Sequence, residues 1–411
     1  MTLSRHLLRL VPLAALAAGL AGPLAAQPSA AAPAIDFLYG ERELFPSAIV
    51  CFTADSRYAP VDAQQLGDPQ GVISVKLTAP SDDCLVRITF SETPFFEESH
   101  VSCRLPKAGT VYHVAPVMRY RAEKLAAQRQ PLANLVVRAV VELPGETLEL
   151  STKVVVHSVN DAIMQYRPRD EHAAIDDWKS DTKAILAAYV NENHPWIDQR
   201  ITRHALDRKY VAAFSGYQGD AAAVTQELRA VYDTLADFGF KYTSFKEPSA
   251  APVNRAGNVR LQAIRLVGDS LESAQANSLE TALLLASVCR KLSIDTTVFL
   301  LPKKQVLLGV YTGFNHKKTG ALLVLDPRQL GYEKFDAAVA AGAAAFEPVR
   351  DKLLFGEGEE QEKLRHSAER FSYLAVDIDL ARSNGILPIP ETRRDFRSAF
   401  GESSPNHPVT P

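Results

Sequence analysis

The chain has 411 residues, of which 23% are charged and 46% hydrophobic, and its formal net charge is -3. That length accommodates two domains of ordinary size. The charge balance argues against nucleic acid as a partner, because a nucleic-acid binder needs a basic face.

At the N-terminus, Arg5 and Arg9 precede an apolar run from Leu10 to Ala26 that ends in small residues. This pattern predicts a cleavable signal peptide over residues 1–26. Pro12, Gly19, Gly22 and Pro23 interrupt the run, so it does not read as a membrane anchor of about 20 clean apolar residues. No other stretch is long and apolar enough to span a bilayer. The expected location is therefore periplasmic or secreted, with no membrane span after signal removal. Cys51, Cys84, Cys103 and Cys289 are the four cysteines, and export permits disulfides. Cys84 and Cys103 are close enough in sequence to join strand ends. Cys289 sits among Leu284, Leu285 and Val288 and reads as a buried thiol.

Residues 35–160 read as β structure. "VISVKL" (73–78), "LVRITF" (85–90), "LVVRAVVEL" (135–143) and "LELSTKVVVHS" (148–158) alternate or carry β-branched runs between turn residues. "LPGETL" is a hairpin turn, and "RYRAEKLAAQRQ" is a helical insert before Pro131. Several short strands with such turns suggest a β-sandwich. "VNDAIMQYRPRDEH" reads as the linker.

From about residue 170 to 392 helical spacing takes over. Val224, Leu228, Val231, Tyr232 and Leu235 share one helix face, and Gly239 ends that helix. "VRLQAIRL" (259–266) is a strand. A helix then runs from Ser278 to about Leu292, followed by strands "TTVFLL" (296–301), "QVLLGVYT" (305–312) and "GALLVLDP" (320–327), with "GFNHKKTG" as a hairpin tip. "YEKFDAAVAAGAAAFEPV" is an alanine-rich helix. The tail over 403–411 reads as disordered. Helices followed by antiparallel strands make the class α+β.

The helix beginning at Ser278 has the frame of a covalent active site. A nucleophile in the first turn of a helix gains from the macrodipole and from free N–H groups. A base on a neighbouring strand and an acid on the next complete such a site. Gln305 lies 27 residues beyond Ser278, and Asp326 lies 21 beyond Gln305 at the end of "LLVLD".

These stretches carry a resemblance. "Asn277-Ser278-Leu279-Glu280", the following "ALLLAS", "Leu301-Pro302-Lys303-Lys304-Gln305" and "VLDPRQLGYEKFDAAVAAGAAAF" resemble the transglutaminase-like superfamily of papain-like cysteine enzymes, in its exported bacterial branch. "FSGYQGDAAAVTQELRAVYDTLADFGFKYTSF" and "RLQAIRL" are similar to that branch too. The resemblance runs from about His194 to Pro390. It implies a transglutaminase-like domain behind the β-sandwich, with a cleft that holds an extended acyl donor. A peptide or protein segment is therefore the expected partner.

The departures from the family pattern bear on activity. Ser278 stands where the family has Cys and Gln305 where it has His; only the acid, Asp326, remains. Glutamine cannot take a proton near neutral pH, and a serine hydroxyl is a poor nucleophile without a base. No catalytic residue is expected at these degenerate positions, and the reading leans away from an enzyme. The alternative is a serine-dependent hydrolase or amidase that uses Ser278 with an unrecognised base. Cys289 is three helical turns away, about 16 Å along the axis. His316 lies about 35 Å of extended chain beyond Gln305, and strand alternation points Lys304 away from it. Gln262 and Asn277 are candidate binding residues, Gln262 equally readable as a strand-end hydrogen bond. Tyr217 reads as a packing aromatic. The ten histidines form no ligand pattern, so neither a metal nor a cofactor is expected.

Overall fold

The computed structural model of the chain describes residues 32–52, 64–129, 133–167, 181–244, 258–302, 305–313, 322–353 and 373–391. The expected signal peptide, Lys303 and Lys304, the hairpin tip with His316, the charged stretch 356–370 and the tail all lie outside the described residues. The class is α+β.

The first part of the chain contains β1 (Ala34–Phe37), β2 (Glu43–Leu44), α1 (Pro46–Phe52), β3 (Gln65–Gly67), β4 (Ile73–Thr78), β5 (Cys84–Phe90), β6 (Ser99–Leu105), β7 (Val111–Ala115), α2 (Ala122–Ala127), β8 (Ala133–Leu143) and β9 (Glu146–Val156). They form a four-stranded sheet in the order β1-β4-β7-β3 and a five-stranded sheet in the order β2-β9-β8-β5-β6. Strand alternation decides which side chains are buried. In β5, Cys84, Val86, Ile88 and Phe90 point inward while Arg87 points out. The β8–β9 hairpin keeps register from Ala133↔Val156 to Leu143↔Glu146. Gly145 at its tip has φ +83°, the left-handed conformation that favours glycine.

Two features of this part depart from the all-β reading. Helix α1 opens at Pro46, which suits a first helical position, and buries Ala48, Ile49 and Cys51. The stretch read as a linker instead supplies β10 (Asp161–Tyr166). Its Ala162, Ile163 and Met164 are buried, and it pairs antiparallel with β12 (Val259–Ala263) from the second part of the chain. An apolar run of this kind is stable only when covered, so the chain passes between its two parts as a buried strand.

The expected pair Cys84 and Cys103 sits on one face of β5–β6, but two positions out of register: Cys84 faces Leu105 and Cys103 faces Val86. Diagonal neighbours of this kind are about 7 Å apart, whereas a disulfide needs Cβ atoms about 4 Å apart. Both thiols are free.

The second part begins with a 3-10 helix at Asp181–Tyr189 and a π-helical turn at Ile197–Thr202. Then come α3 (Arg203–Asp207), α4 (Ala221–Asp237), β11 (Lys241–Tyr242), β12, α5 (Val267–Ser273), β13 (Gln275–Ala276) and α6 (Ser278–Lys291). An antiparallel sheet follows, built from β14 (Thr296–Leu301), β15 (Gln305–Tyr311), β16 (Leu322–Leu325) and β17 (Leu374–Asp377) in the order β16-β15-β14-β17. Helices α7 (Phe335–Phe346) and α8 (Arg350–Leu353) precede β17, and α9 (Ile378–Ser383) follows it.

Both faces of this sheet are covered, which explains its near-continuous apolar strands. Val298, Val306, Leu308 and Leu325 join the main core with α6. Phe299, Leu301, Leu307 and Val324 form a second core with Phe346 and Leu353. No helix of the described residues is long and apolar enough to cross a membrane.

Candidate functional site

Helix α6 starts where the sequence places a nucleophile, and its start is closed by hydrogen bonds. Asn277 adopts an extended N-cap conformation, and its Oδ1 accepts from the Glu280 amide at 2.9 Å. The Glu280 carboxylate reaches back to accept the Asn277 amide at 3.1 Å. The two form a reciprocal capping box. Arg265 then encloses Glu280: its amide and Nε donate to Oε1 at 3.0 and 3.1 Å, and Nη2 donates to Oε2 at 2.7 Å. Arg265 also donates to Ser273 Oγ and to the Gln275 carbonyl, which ties the cap to the end of α5. Ser278 follows this network and has 0% exposure.

This cap was legible in "Asn277-Ser278-Leu279-Glu280", an N-cap residue followed three positions later by Glu, but the pattern was read for chemistry alone. Its energetic weight is testable. Glu280→Ala takes the carboxylate acceptor from the Asn277 amide and from the Arg265 amide and side chain, and is expected to destabilise the fold by about 2 kcal/mol in urea unfolding.

Asp326 comes to the same end of α6. Tyr242 pairs with Ala276, just before the helix, and the Tyr242 amide donates to Leu330 O, just after Asp326. The Asp326 carboxylate is occupied locally. It caps the 3-10 turn Pro327–Gln329 by accepting the Arg328 amide at 3.0 Å. The Arg328 side chain also grips it, with Nε to Oδ1 at 3.0 Å and Nη2 to Oδ2 at 2.6 Å. Asp326 is 1% exposed.

Gln305 does not share this arrangement. It lies opposite Leu301 in the β14–β15 ladder. Opposed residues share a face, and so do residues two apart, so Gln305 lies with Leu301 and Leu307 on the side that packs against Phe346. The β15 side chains facing α6 are Val306, Leu308 and Val310, all buried. The sheet register therefore brings Asp326 toward the start of α6 and turns Gln305 to the opposite face.

No protein-family model, no curated protein and no solved structure matches this chain.

The remaining candidates have structural partners. Gln262 is buried in β12 opposite Ala162, and its Nε2 donates to the Ala263 carbonyl at 2.9 Å. The Tyr217 hydroxyl accepts from the Asp295 amide and donates to the Tyr311 carbonyl, each at 2.9 Å. Burial pushes the Cys289 thiol up to about 12, which keeps it protonated and unreactive. His194, buried beside Trp196, is held down at about 4 by burial and stays neutral near neutral pH.

Surface hollows lined by described residues include three whose linings contain none of Ser278, Gln305 and Asp326. One of them adjoins the start of α6. It has a volume of about 630 Å³ and is bounded by Lys241, Gly331, Tyr332, Glu333, Lys334 and Asp336 among others. Tyr332 is 64% exposed there, and its hydroxyl donates to the Tyr242 carbonyl. Gly331 has φ +82°, and an added Cβ would meet the Phe240 carbonyl at 2.5 Å, so only glycine closes this turn.

Proposed function

We propose that this chain is an exported transglutaminase-like protein, a β-sandwich followed by a papain-like domain, that binds a peptide or protein segment and carries out no acyl transfer. The observation that carries this reading is the state of Ser278. It is fully buried behind a closed capping network, and Val306 and Leu308 of β15 face its helix. A serine with no exposed surface offers a substrate no approach, which removes a condition for nucleophilic attack. The inherited acid, Asp326, spends its acceptor capacity on Arg328.

The binding surface in this reading is the hollow beside Tyr332 rather than Ser278 itself. An exposed tyrosine offers an apolar ring with a polar edge, a side chain enriched at recognition surfaces. The flanking Lys241 and Lys334 add positive charge, while Asp336 is engaged by Arg229.

A fluorophosphonate probe tests the absence of chemistry. Wild type and Ser278→Ala are expected to show equal, background labelling. Labelling of wild type that disappears in Ser278→Ala overturns the reading in favour of a serine hydrolase or amidase. Affinity capture with Tyr332→Ala tests the surface: partners retained equally by this variant and wild type would remove the hollow from the proposal.

A further inference from the structure

The passage between the two parts of the chain contains a charged cluster that the proposed function does not use. His157 follows β9, and its amide donates to the Leu44 carbonyl of β2 at 2.8 Å. Its ring stacks on Phe45 with centroids 4.3 Å apart. Nε2 lies 3.3 Å from Glu43 Oε1, and Nδ1 lies 3.4 Å from Asp161 Oδ2. Glu43 belongs to the five-stranded sheet. Asp161 opens β10, the strand that pairs with β12 in the second part. One imidazole therefore ties β2, through Glu43, to the turn between β9 and β10, where Asp161 lies four residues on and leads into the strand that pairs with β12.

The geometry fixes the charge that this link needs. A neutral imidazole has one N–H and one lone pair, so it can satisfy only one carboxylate and must present its lone pair to the other. Both contacts are attractive only when both ring nitrogens carry a proton. Around Asp161, the Ser158 amide donates to Asp161 Oδ2 at 3.2 Å, while Ser47 donates to the Asp161 backbone carbonyl at 2.6 Å. Tyr189 donates to the Val159 carbonyl, and Arg129 is directed to Asn160 and to Asp269 of α5. Cys51 of α1 is buried nearby with its pKa raised above the usual thiol range by burial, so it adds no charge.

We propose that Glu43, His157 and Asp161 form a pH-sensitive latch that fastens β2 to the turn leading into β10 while His157 is protonated, and loosens when it loses its proton.

Burial by itself would lower the His157 pKa; the hydrogen bonds to Asp161 and Glu43 outweigh it and raise the pKa to about 9. A group whose pKa is raised in the closed form contributes fully below its ordinary value and loses that contribution as pH rises through the raised value. The contribution of the His157 proton is therefore complete at about pH 6.5 and weakens about tenfold per pH unit up to about pH 9, roughly 300-fold in all.

The test uses the full chain and two readouts. Titration of the His157 ring by NMR should give a midpoint near pH 9. Hydrogen exchange of the β2 and β10 amides, normalised to interior amides of α6, should accelerate between pH 6.5 and 9. In His157→Gln that pH dependence should vanish, with β10 exchanging fast at every pH. Should that variant not fold, Glu43→Gln provides the second arm, because losing one carboxylate should move the midpoint down by about a unit. A wild-type midpoint near 6.5 overturns the proposal. So does β10 protection that stays flat across the range, or a midpoint unmoved in Glu43→Gln.

Discussion

Replacing Arg382 with methionine is expected to destabilise the protein by about 4 kcal/mol. Arg382 lies in α9 with a side chain 6% exposed, and every one of its five N–H donors has an acceptor. Nε and Nη2 donate to the two oxygens of Glu192 at 3.2 and 2.9 Å. Nη1 donates to the Ala187 carbonyl at 2.9 Å and to the Ile386 carbonyl at 2.6 Å, and Nη2 also donates to Val190 O. The guanidinium therefore joins the end of the 3-10 helix, the loop after it and the C-terminal segment at one point. Methionine keeps the aliphatic stem but leaves Glu192 with the more distant Arg290 as its charged neighbour among the described residues, and three carbonyls without this donor. Removing one partner of a buried ion pair typically costs about 3–5 kcal/mol, mostly through the group left behind. Arg382→Lys keeps the charge but not the planar five-donor fork, and should lose about half as much.

The same pair sets a pH signature. Burial pushes the Glu192 pKa up, but the hydrogen bonds and charge of Arg382, with Arg290, outweigh it and hold the pKa below the usual carboxylate value. A depressed carboxylate contributes stability that is present above its unfolded pKa and lost as pH falls through the folded one. The gap in unfolding free energy between wild type and Arg382→Met should thus be constant from pH 7 to about 5 and narrow below about 4. Urea titrations across that range check it. A gap independent of pH would mean that the carbonyls, not Glu192, carry the effect.

Elements marked by long apolar or β-branched runs could be read in advance. The α6 helix, β14 and β15 stand where those runs place them, because an element covered on every side is apolar almost throughout. Helix α1 was hidden by its length, seven residues among strands. Strand β10 was hidden by its neighbours: Asn160, Asp161 and Arg167 gave the segment a linker's polarity, and only the pairing with β12, about 100 residues away, makes its apolar centre a strand. The candidate site was legible in position but not in orientation. A one-residue shift reverses the face on which a strand side chain lies, and no local feature of "PKKQVLL" fixes that register, so the placement of Gln305 opposite Leu301 had to come from the sheet. The roles of Glu280 and Asp326 were hidden for another reason. Arg265 reaches Glu280 across the whole of α5, and a carboxylate engaged by an arginine looks identical in sequence to one that is not. Latch residue His157 was likewise read as the end of a strand.

Replacing Glu227 with alanine is expected to destabilise the protein by about 4 kcal/mol, comparable to the loss of Arg382. Glu227 lies in α4 among Val224, Leu228 and Val231 and is 1% exposed. A carboxylate so placed needs several donors to offset its lost hydration. The loop before α4 supplies them: the Ser215 amide at 2.6 Å, the Ser215 hydroxyl at 2.9 Å and the Gly216 amide at 3.1 Å to each oxygen. Successive amides turned inward make a small anion nest, here filled by the protein's own side chain. The turn depends on Gly216, which has φ +53° and whose added Cβ would meet the Leu292 carbonyl at 2.5 Å. Glu227 thereby fixes the loop that joins α4 to the end of α6. Alanine leaves the buried Gly216 amide without its acceptor, worth about 1–3 kcal/mol, takes the same acceptor from the amide and hydroxyl of the exposed Ser215, and opens a cavity in the core as well. Glu227→Gln retains one acceptor oxygen but turns an NH₂ toward the same donors, so it should recover less than half of the loss. Denaturant unfolding of the three proteins orders them wild type, Gln, Ala. If the Gln variant matched wild type, the negative charge would be irrelevant to the nest and the loop would be held by packing through Tyr217 and Phe214 instead.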